Sequence, residues 1–295
     1  MNKIAAVVVT YNRKVLLLEN VNALLQQKPV SPDVIVIDNN STDGTADALA
    51  ELGDKIIYVN TGANLGGAGG FHFGIKKATE LGYEYLWIMD DDCIPEPDAL
   101  AALLKADEEL SGNYGFLSSK VLWKDGTLCT MNIQRETLTR NLTVFDDGIK
   151  SIAMASFVSL FVRSDVVKKK GLPIKEFFIW TDDWEFTRRI SREMKCYYIP
   201  DSVVIHKSNS NVGAQIYNDT IERLDRYYYL YRNDVYLYRR EGFRGFCYEF
   251  ARLSSHVLKV VFKAKDHKRE RIRAVFNGTK KGYSFNPSIE FPDKE

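Results

Sequence analysis

The 295-residue chain carries 40 Lys and Arg against 39 Asp and Glu, a balance that excludes a dedicated nucleic-acid binder, which needs a basic excess for phosphate contacts. A chain of this length buries enough surface to fold without disulfide or metal staples, as one large domain or a domain with a smaller appendage. The four cysteines, Cys93, Cys129, Cys196 and Cys247, are widely spaced with no CxxC, so neither a zinc site nor a redox dithiol is expected, and the thiols read as reduced and cytosolic.

The opening stretch, MNKIAAVVVTYN, has too short an apolar run and too little basic charge for a signal peptide or membrane span. It reads as a first strand. Short β-branched or aromatic runs at 34–37, 55–59 and 85–89 read as further buried strands, and helical periodicity over 15–27, 45–52, 69–81 and 98–110 falls between them. The alternation predicts a parallel α/β sheet with right-handed crossovers. Beyond residue 115, strands are expected at 116–122, 153–162, 196–199 and 203–205, with a helix over 182–194. From about residue 218 the sequence turns Tyr-rich and then basic, which divides the chain into 1–217 and a helical region 218–295.

Ligands of such sheets bind at the carboxyl ends of the strands. Those ends carry Thr10-Tyr11-Asn12-Arg13, then Asp38 within DNNSTDGT, then GANLGGAGGFHFG with Asn64 and Gly67, and then Asp90-Asp91-Asp92. If the chain is still extended at the acidic triplet, Asp90 and Asp92 project to one side and Asp91 to the other. Two converging carboxylates suit Mg²⁺ or Mn²⁺ completed by water and substrate phosphates. A solvated turn or a helix cap would use the same residues. Asp38 can accept from a base-edge N–H or close an Asx turn, with Ser41, Thr42 and Asp43 available to cap the next helix. The glycines permit close backbone approach and free N–H groups for a diphosphate. No GxGxxG follows the first strand, which disfavours a nicotinamide or flavin dehydrogenase.

The ordered set VVVTYNR, VIDNNSTDGT, NLGGAGG, WIMDDD, WTDDWEF and YYYLYRN, spanning about residues 3–240, resembles glycosyltransferase family 2 with the GT-A fold, a nucleotide-diphospho-sugar transferase architecture here followed by the helical appendage. The resemblance implies a nucleotide-sugar donor, a divalent cation (Mn²⁺ or Mg²⁺) at the triplet, and inversion at the anomeric carbon. By motif position Thr10, Tyr11, Asp38 and Asn64 would hold the nucleotide, with Asp90 and Asp92 at the metal and diphosphate. Asn12, Arg13, Gly67 and Asp91 join the substrate-binding set. The NLGGAGGF form further resembles galactofuranosyltransferases and some rhamnosyltransferases, which pair the acidic motif with a histidine matching His206 in VVIHKSNSN. The absence of QxxRW argues against a processive synthase. The implied donor is UDP-galactofuranose, with dTDP-rhamnose as the alternative, and the implied acceptor is a glycan or lipid-linked glycan of cell-surface polysaccharide assembly. A catalytically silent nucleotide-sugar binder is the rival reading, against which the presence of Asp90, Asp92 and Asp183 counts.

Displacement at a sugar carbon requires a base for the acceptor hydroxyl. WTDDWEF offers Asp182, Asp183 and Glu185. Asp182 followed three residues later by Glu185 resembles a capping box, which leaves Asp183 at the first helical position to enter the cleft; Asp183 also aligns with the family's base. An ordinary acidic helix start, favoured by the dipole, would look the same. Trp180 and Trp184 flank the acids and either offer a ring face to a sugar or pack in the core.

In the tail, Phe243, Phe246, Phe250, Leu253, Val257 and Val261 recur at helical spacing, while Arg252, His256, Lys259 and Lys263 take the other face. The basic run KAKDHKRERIR follows. An apolar face with a basic flank is the pattern of a helix lying on an anionic membrane; docking of that face on protein is the reading favoured for the helix itself, with the basic run still able to face lipid, and an oligomer interface is the remaining reading. The enzyme would then be cytoplasmic, or peripheral at the inner face of the plasma membrane.

Overall fold

The computed structural model describes residues 3–292. Its centre is a strand, β1 (Ile4–Thr10), in which every residue is buried. Ile4, Ala6 and Val8 face a layer containing Leu17, Val21 and Leu24 of helix α1 (Lys14–Leu25). Ala5, Val7 and Val9 face Phe71, Ile75 and Ala78 of α3 (Gly66–Glu80). This two-sided burial explains why the strand is continuously apolar instead of alternating. Gly74 lets α3 come close: a Cβ there would sit 2.6 Å from Val7 Cγ1.

The remaining elements are β2 (Asp33–Asp38), α2 (Thr45–Ala50), β3 (Ile56–Asn60), β4 (Tyr85–Asp90), β5 (Cys93–Pro95), α4 (Ala99–Glu109), β6 (Leu117–Trp123), β7 (Lys150–Ile152), β8 (Leu160–Arg163), α5 (Ser164–Lys170), α6 (Asp182–Ser191), β9 (Cys196–His206), α7 (Leu224–Arg239), α8 (Gly242–Lys263) and α9 (Lys268–Ser284). The sheet order is β3-β2-β1-β4-β8-β6-β9-β5, with β7 paired to β9. The first four strands are parallel, as the alternation predicted. The second half is mixed: β8 runs antiparallel to β4 and β6, while β6 and β9 are parallel. The expected strand at 153–162 therefore shrinks to β8. The two expected strands at 196–199 and 203–205 form one strand, with an irregularity in its pairing to β6 between Ser119 and Lys120. The architecture is a mixed α/β sheet of GT-A type with C-terminal helices. All four cysteines are free, and only Cys247 is exposed.

Helix α8 departs from expectation. Its inward side carries charge: Arg252 Nη2 lies 2.6 Å from Asp234 Oδ2 of α7, Arg252 Nε lies 2.9 Å from Glu249 Oε2, and His256 Nδ1 is 2.9 Å from the Tyr231 hydroxyl. Leu253 and Val257 pack partly against the α7–α9 core. Phe243 is 80% exposed and Phe250 66%, and Phe246, Leu258 and Val261 are exposed as well. The apolar face thus points mainly to solvent, because α7 supplies ionic and hydrogen-bonding partners that helical periodicity cannot report. Among the described residues, no helix is long and apolar enough to cross a membrane.

Candidate active site

Sheet register brings the acidic residues together. Val9 pairs with Asp90 and Thr10 with Asp38, so the carboxyl ends of β1, β2 and β4 lie level. Cys93 of β5 pairs with His206 at the end of β9. Asp90 closes β4, but Asp91 and Asp92 lie in the turn before β5. The extended geometry expected of the triplet is therefore replaced by convergence of Asp91 and Asp92 on Arg13. The Arg13 Nη1 donates to Asp92 Oδ2 at 2.5 Å and to Asp91 Oδ1 at 3.3 Å. The Thr10 hydroxyl donates to Asp91 Oδ2 at 2.7 Å. From the other side, His206 Nε2 lies 3.1 Å from Asp92 Oδ1.

His206 is oriented by a residue that the motifs did not single out. Its Nδ1 is 2.7 Å from Asn132 Oδ1; an amide oxygen only accepts, so Nδ1 carries a proton and Nε2 is presented to the acidic turn. Burial opposes the imidazolium, yet the hydrogen bond and charge of Asp92 raise His206 to about 10. For Asp92 burial pushes up, but His206 and Arg13 outweigh it and hold the carboxyl below its ordinary value. Burial, with the charge of Asp92 adding to it, lifts Asp90 to about 7, and burial lifts Asp91 to about 6 against the pull of Arg13.

Asp92, Cys93 and His206 offer ligand atoms within 4.8 Å of one another. The Asp90 carboxyl is not in that group, although its charge acts on both Asp92 and His206. A carboxylate oxygen with an imidazole nitrogen fits a hard or borderline divalent cation. Cys93, buried and with its thiol pushed well above the ordinary value, adds nothing such a cation needs.

The opposite wall is the start of α6. Asp182 is its first residue and Asp183 its second. The expected capping box is absent: Glu185 is paired with Arg189 at 3.0 Å, and the Thr181 hydroxyl, at the N-cap, donates to Asp234 Oδ1 at 2.7 Å. Asp183 Oδ1 accepts from the Trp184 N–H at 2.7 Å. Burial raises Asp182 to about 7, and burial with the charge of Asp182 raises Asp183 well above the carboxylate range. The loop leading in is strained: Phe178, Trp180 and Thr181 have φ of 65, 64 and 69°, each costing about 1–3 kcal/mol for a non-glycine residue. Phe178 centres a tight turn in which the Ile179 N–H donates to Phe177 O at 2.7 Å. Gly66 is required against this loop, since a Cβ there would lie 2.1 Å from Phe178 O.

Both walls line one cavity of about 750 Å³. Thr10, Tyr11, Arg13, Asn64 and Gly67 line one part of it with Asp90, Asp91, Asp92 and His206, while Trp180, Asp182, Asp183 and Trp184 enter from α6 and its preceding loop. Asn12 and Asp38 are not among the lining residues. Asn12 Oδ1 accepts from the Thr42 N–H at 2.7 Å. Asp38 closes the Asx turn to the Ser41 N–H at 2.8 Å and accepts from the Tyr58 hydroxyl at 2.8 Å. Beside Asp38, Asn39 lines the cavity, donates to Gly66 O at 3.0 Å, and keeps a buried Oδ1 without a partner. Trp184 carries the Arg135 guanidinium 4.4 Å over its ring, and Trp180 packs edge-on to Tyr227, so both rings are partly engaged by protein. Arg135 and Asn132 lie outside the recognisable motifs; Asn39 lies within VIDNNSTDGT beside Asp38 but was not singled out there.

In sequence and fold the chain is similar to several known proteins. The sequence model for glycosyl transferase family 2 matches residues 5–117. The chain is 26% identical over 258 residues to galactofuranosyltransferase GlfT1 of Mycolicibacterium smegmatis, covering 82% of this chain and 84% of that protein. It is 29% identical over 262 residues to the protein of the same name from Mycobacterium tuberculosis, covering 81% and 83%. It is 27% identical over 256 residues to dTDP-rhamnosyl transferase RfbF of Shigella flexneri, covering 81% of each. Among solved structures, S. aureus TarS superposes with a TM-score of 0.57 at 15% identity over 96% of this chain, which spans 44% of the TarS chain. GalNAc-T7, solved with UDP, GalNAc and Mn²⁺, gives 0.58 at 14% identity over 70% of this chain and 44% of its own.

Because the folded protein holds Asp183 above its unfolded value of 3.8, the unfolded chain releases a proton that the folded chain retains, and stability falls as pH rises from about 3.8 towards the raised folded value. Asp183→Asn keeps the acceptor for the Trp184 N–H and removes this cost. Thermal unfolding is expected to show the variant melting above the wild type at pH 7, with the gap closing as pH approaches 3.8. A gap independent of pH would contradict the assignment.

Proposed function

We propose that this chain, a member of glycosyltransferase family 2, is an inverting, metal-dependent galactofuranosyltransferase using UDP-galactofuranose to extend a glycan or lipid-linked acceptor in cell-surface polysaccharide assembly. The observation that carries this reading is the placement of the acidic 90–92 turn and the Asp182/Asp183 pair on two walls of one cleft. Asp183 takes the proton of the acceptor hydroxyl as that oxygen bonds to the anomeric carbon. The carbon–oxygen bond to the diphosphate breaks on the far side, its electron pair leaves with UDP, and the configuration inverts. Burial that raises the Asp183 pKa makes its carboxylate a stronger proton acceptor.

Asp92 and His206, with Asp90 beside them, would hold Mn²⁺ or Mg²⁺. When bound, the cation supplies Lewis-acid neutralisation of the departing diphosphate. Gly67 lines the cleft with nothing within 4 Å of the position a Cβ would take, which leaves its backbone open to a phosphate. Thr10, Tyr11 and Asn64 stand on the nucleotide side. The choice of galactofuranose follows the GlfT1 relatives, which span about four fifths of the chain. Transfer of rhamnose from dTDP-rhamnose is the second reading, favoured by RfbF at similar identity and coverage.

A lipid-linked acceptor also suits the outer face of α8. Its exposed Phe243, Phe246, Phe250, Leu258 and Val261 are accompanied by exposed Arg244, Lys259, Lys265, Lys268 and Arg269, the combination that seats a helix in an anionic bilayer surface. Arg252 and His256, on the inner side of the same helix, line the active-site cleft. The chain would thus work as a cytoplasmic enzyme held peripherally at the membrane.

Two outcomes are expected. In a sugar-nucleotide panel with Mn²⁺, transfer or slow hydrolysis should be fastest with UDP-galactofuranose, should stop on chelation, and should fall by about two to four decades in Asp183→Asn. Preference for dTDP-rhamnose would select the second reading, and near-wild-type turnover of Asp183→Asn would move the base elsewhere. Co-sedimentation with anionic liposomes should be strong at low salt and weaken as salt rises. Equal recovery with neutral liposomes, or none with either, would remove the membrane from the account.

A further inference from the structure

The acid pair enters the cleft from a loop, residues 178–181, that has positive φ at three positions and no glycine. Such a backbone persists only where its surroundings over-determine it. We infer that Asn233 and Asp234 of α7 are the positioning residues that clamp this loop and so place Asp182 and Asp183. The inference rests on the reading of Asp183 as the base.

Asn233 is fully buried. Its Oδ1 accepts from Arg232 Nε at 3.0 Å and Nη2 at 2.9 Å, which fixes the amide so that Nδ2 faces the loop. There Nδ2 lies 3.0 Å from Phe177 O, 3.1 Å from Ile179 O and 2.9 Å from Trp180 O. Carbonyl oxygens only accept, so a donor is required at this point, and an acid of the same size would repel all three. One residue on, Asp234 Oδ1 accepts from the Thr181 hydroxyl, and its Oδ2 is held by Arg252 of α8. From the opposite side, the Ala68 N–H of α3 donates to Phe178 O at 3.2 Å. The loop is thus gripped between the helix that begins the glycine-rich motif and a helix beyond residue 217. The C-terminal helices thereby contribute directly to the shape of the catalytic wall.

The test compares Asn233→Asp, which keeps size but turns the donor into an acceptor, with Thr181→Val, which deletes only the hydroxyl bond to Asp234. For each, kcat and KM for the donor, UDP affinity with Mn²⁺ by calorimetry, and hydrogen–deuterium exchange of the 177–184 segment are measured. Asn233→Asp should lose about 100-fold in kcat, the scale of a displaced reacting group, with KM and UDP affinity within about threefold and faster exchange confined to the loop. Thr181→Val should lose about tenfold in kcat and decides the matter if Asn233→Asp does not unfold cooperatively. Wild-type kcat in Thr181→Val, or loop exchange unchanged in a folded Asn233→Asp, overturns the inference. Should Asp183→Asn retain activity, the base assignment fails, while loop exchange still reports on the clamp by itself.

Discussion

Six carboxyl groups, those of Asp90, Asp91, Asp92, Asp182, Asp183 and Asp234, line a single cleft of about 750 Å³, and the rest of the site answers that concentration of negative charge. Like charges in a poorly solvated space cannot all ionise unless cations or proton uptake compensate them. Arg13 bridges Asp91 and Asp92, His206 meets Asp92 from the far side, and burial favours the protonated forms of Asp90, Asp182 and Asp183. The compensation is local and partial, which is the condition a site needs if a cation and a diphosphate are to bind it with gain.

The sheet delivers these groups from distant parts of the sequence. β1 leads to Arg13 and β4 to the acidic turn, and β9 returns antiparallel to β5 to set His206 beside it. On the other wall, α6 starts with its acids at the end of a strained loop. That strain is sustained by the packing of Gly66 on one side and the polar side chains of α7 on the other. The two walls of the cleft thus depend on elements separated by more than a hundred residues, which ties the C-terminal helices to the parallel half of the sheet.

Local pattern made the first half of this structure readable. The runs that became β1 to β4 are buried on both faces and so are continuously apolar, and the helices between them show their period. The motifs at the strand ends pointed to Arg13, Asp90 to Asp92 and His206, and the WTDDWEF helix start to Asp183, and these do line one cleft. What pattern could not supply was anything set by long-range partners. The acidic triplet turns instead of extending, because Asp91 and Asp92 both find Arg13. Asp182 is not a capping-box residue, because Glu185 finds Arg189. Helix α8 turns its phenylalanines outward, because Arg252 finds Asp234. Asn132 was invisible for the same reason, and Asn233, although it ends the YYYLYRN motif, gave no sign of its role: each matters through one partner, His206 or the 178–181 loop, that only the fold brings near.

The central claim is that the acidic turn and His206 form the seat of the donor's cation. It is tested most directly by titrating Mn²⁺ into the protein with UDP present and following free Mn²⁺ by electron paramagnetic resonance, for the wild type, Asp92→Ala and His206→Ala. The account predicts one bound ion per chain in the wild type, loss of binding in Asp92→Ala, and about 10- to 100-fold weaker binding in His206→Ala. Equal Mn²⁺ binding by all three proteins would contradict it.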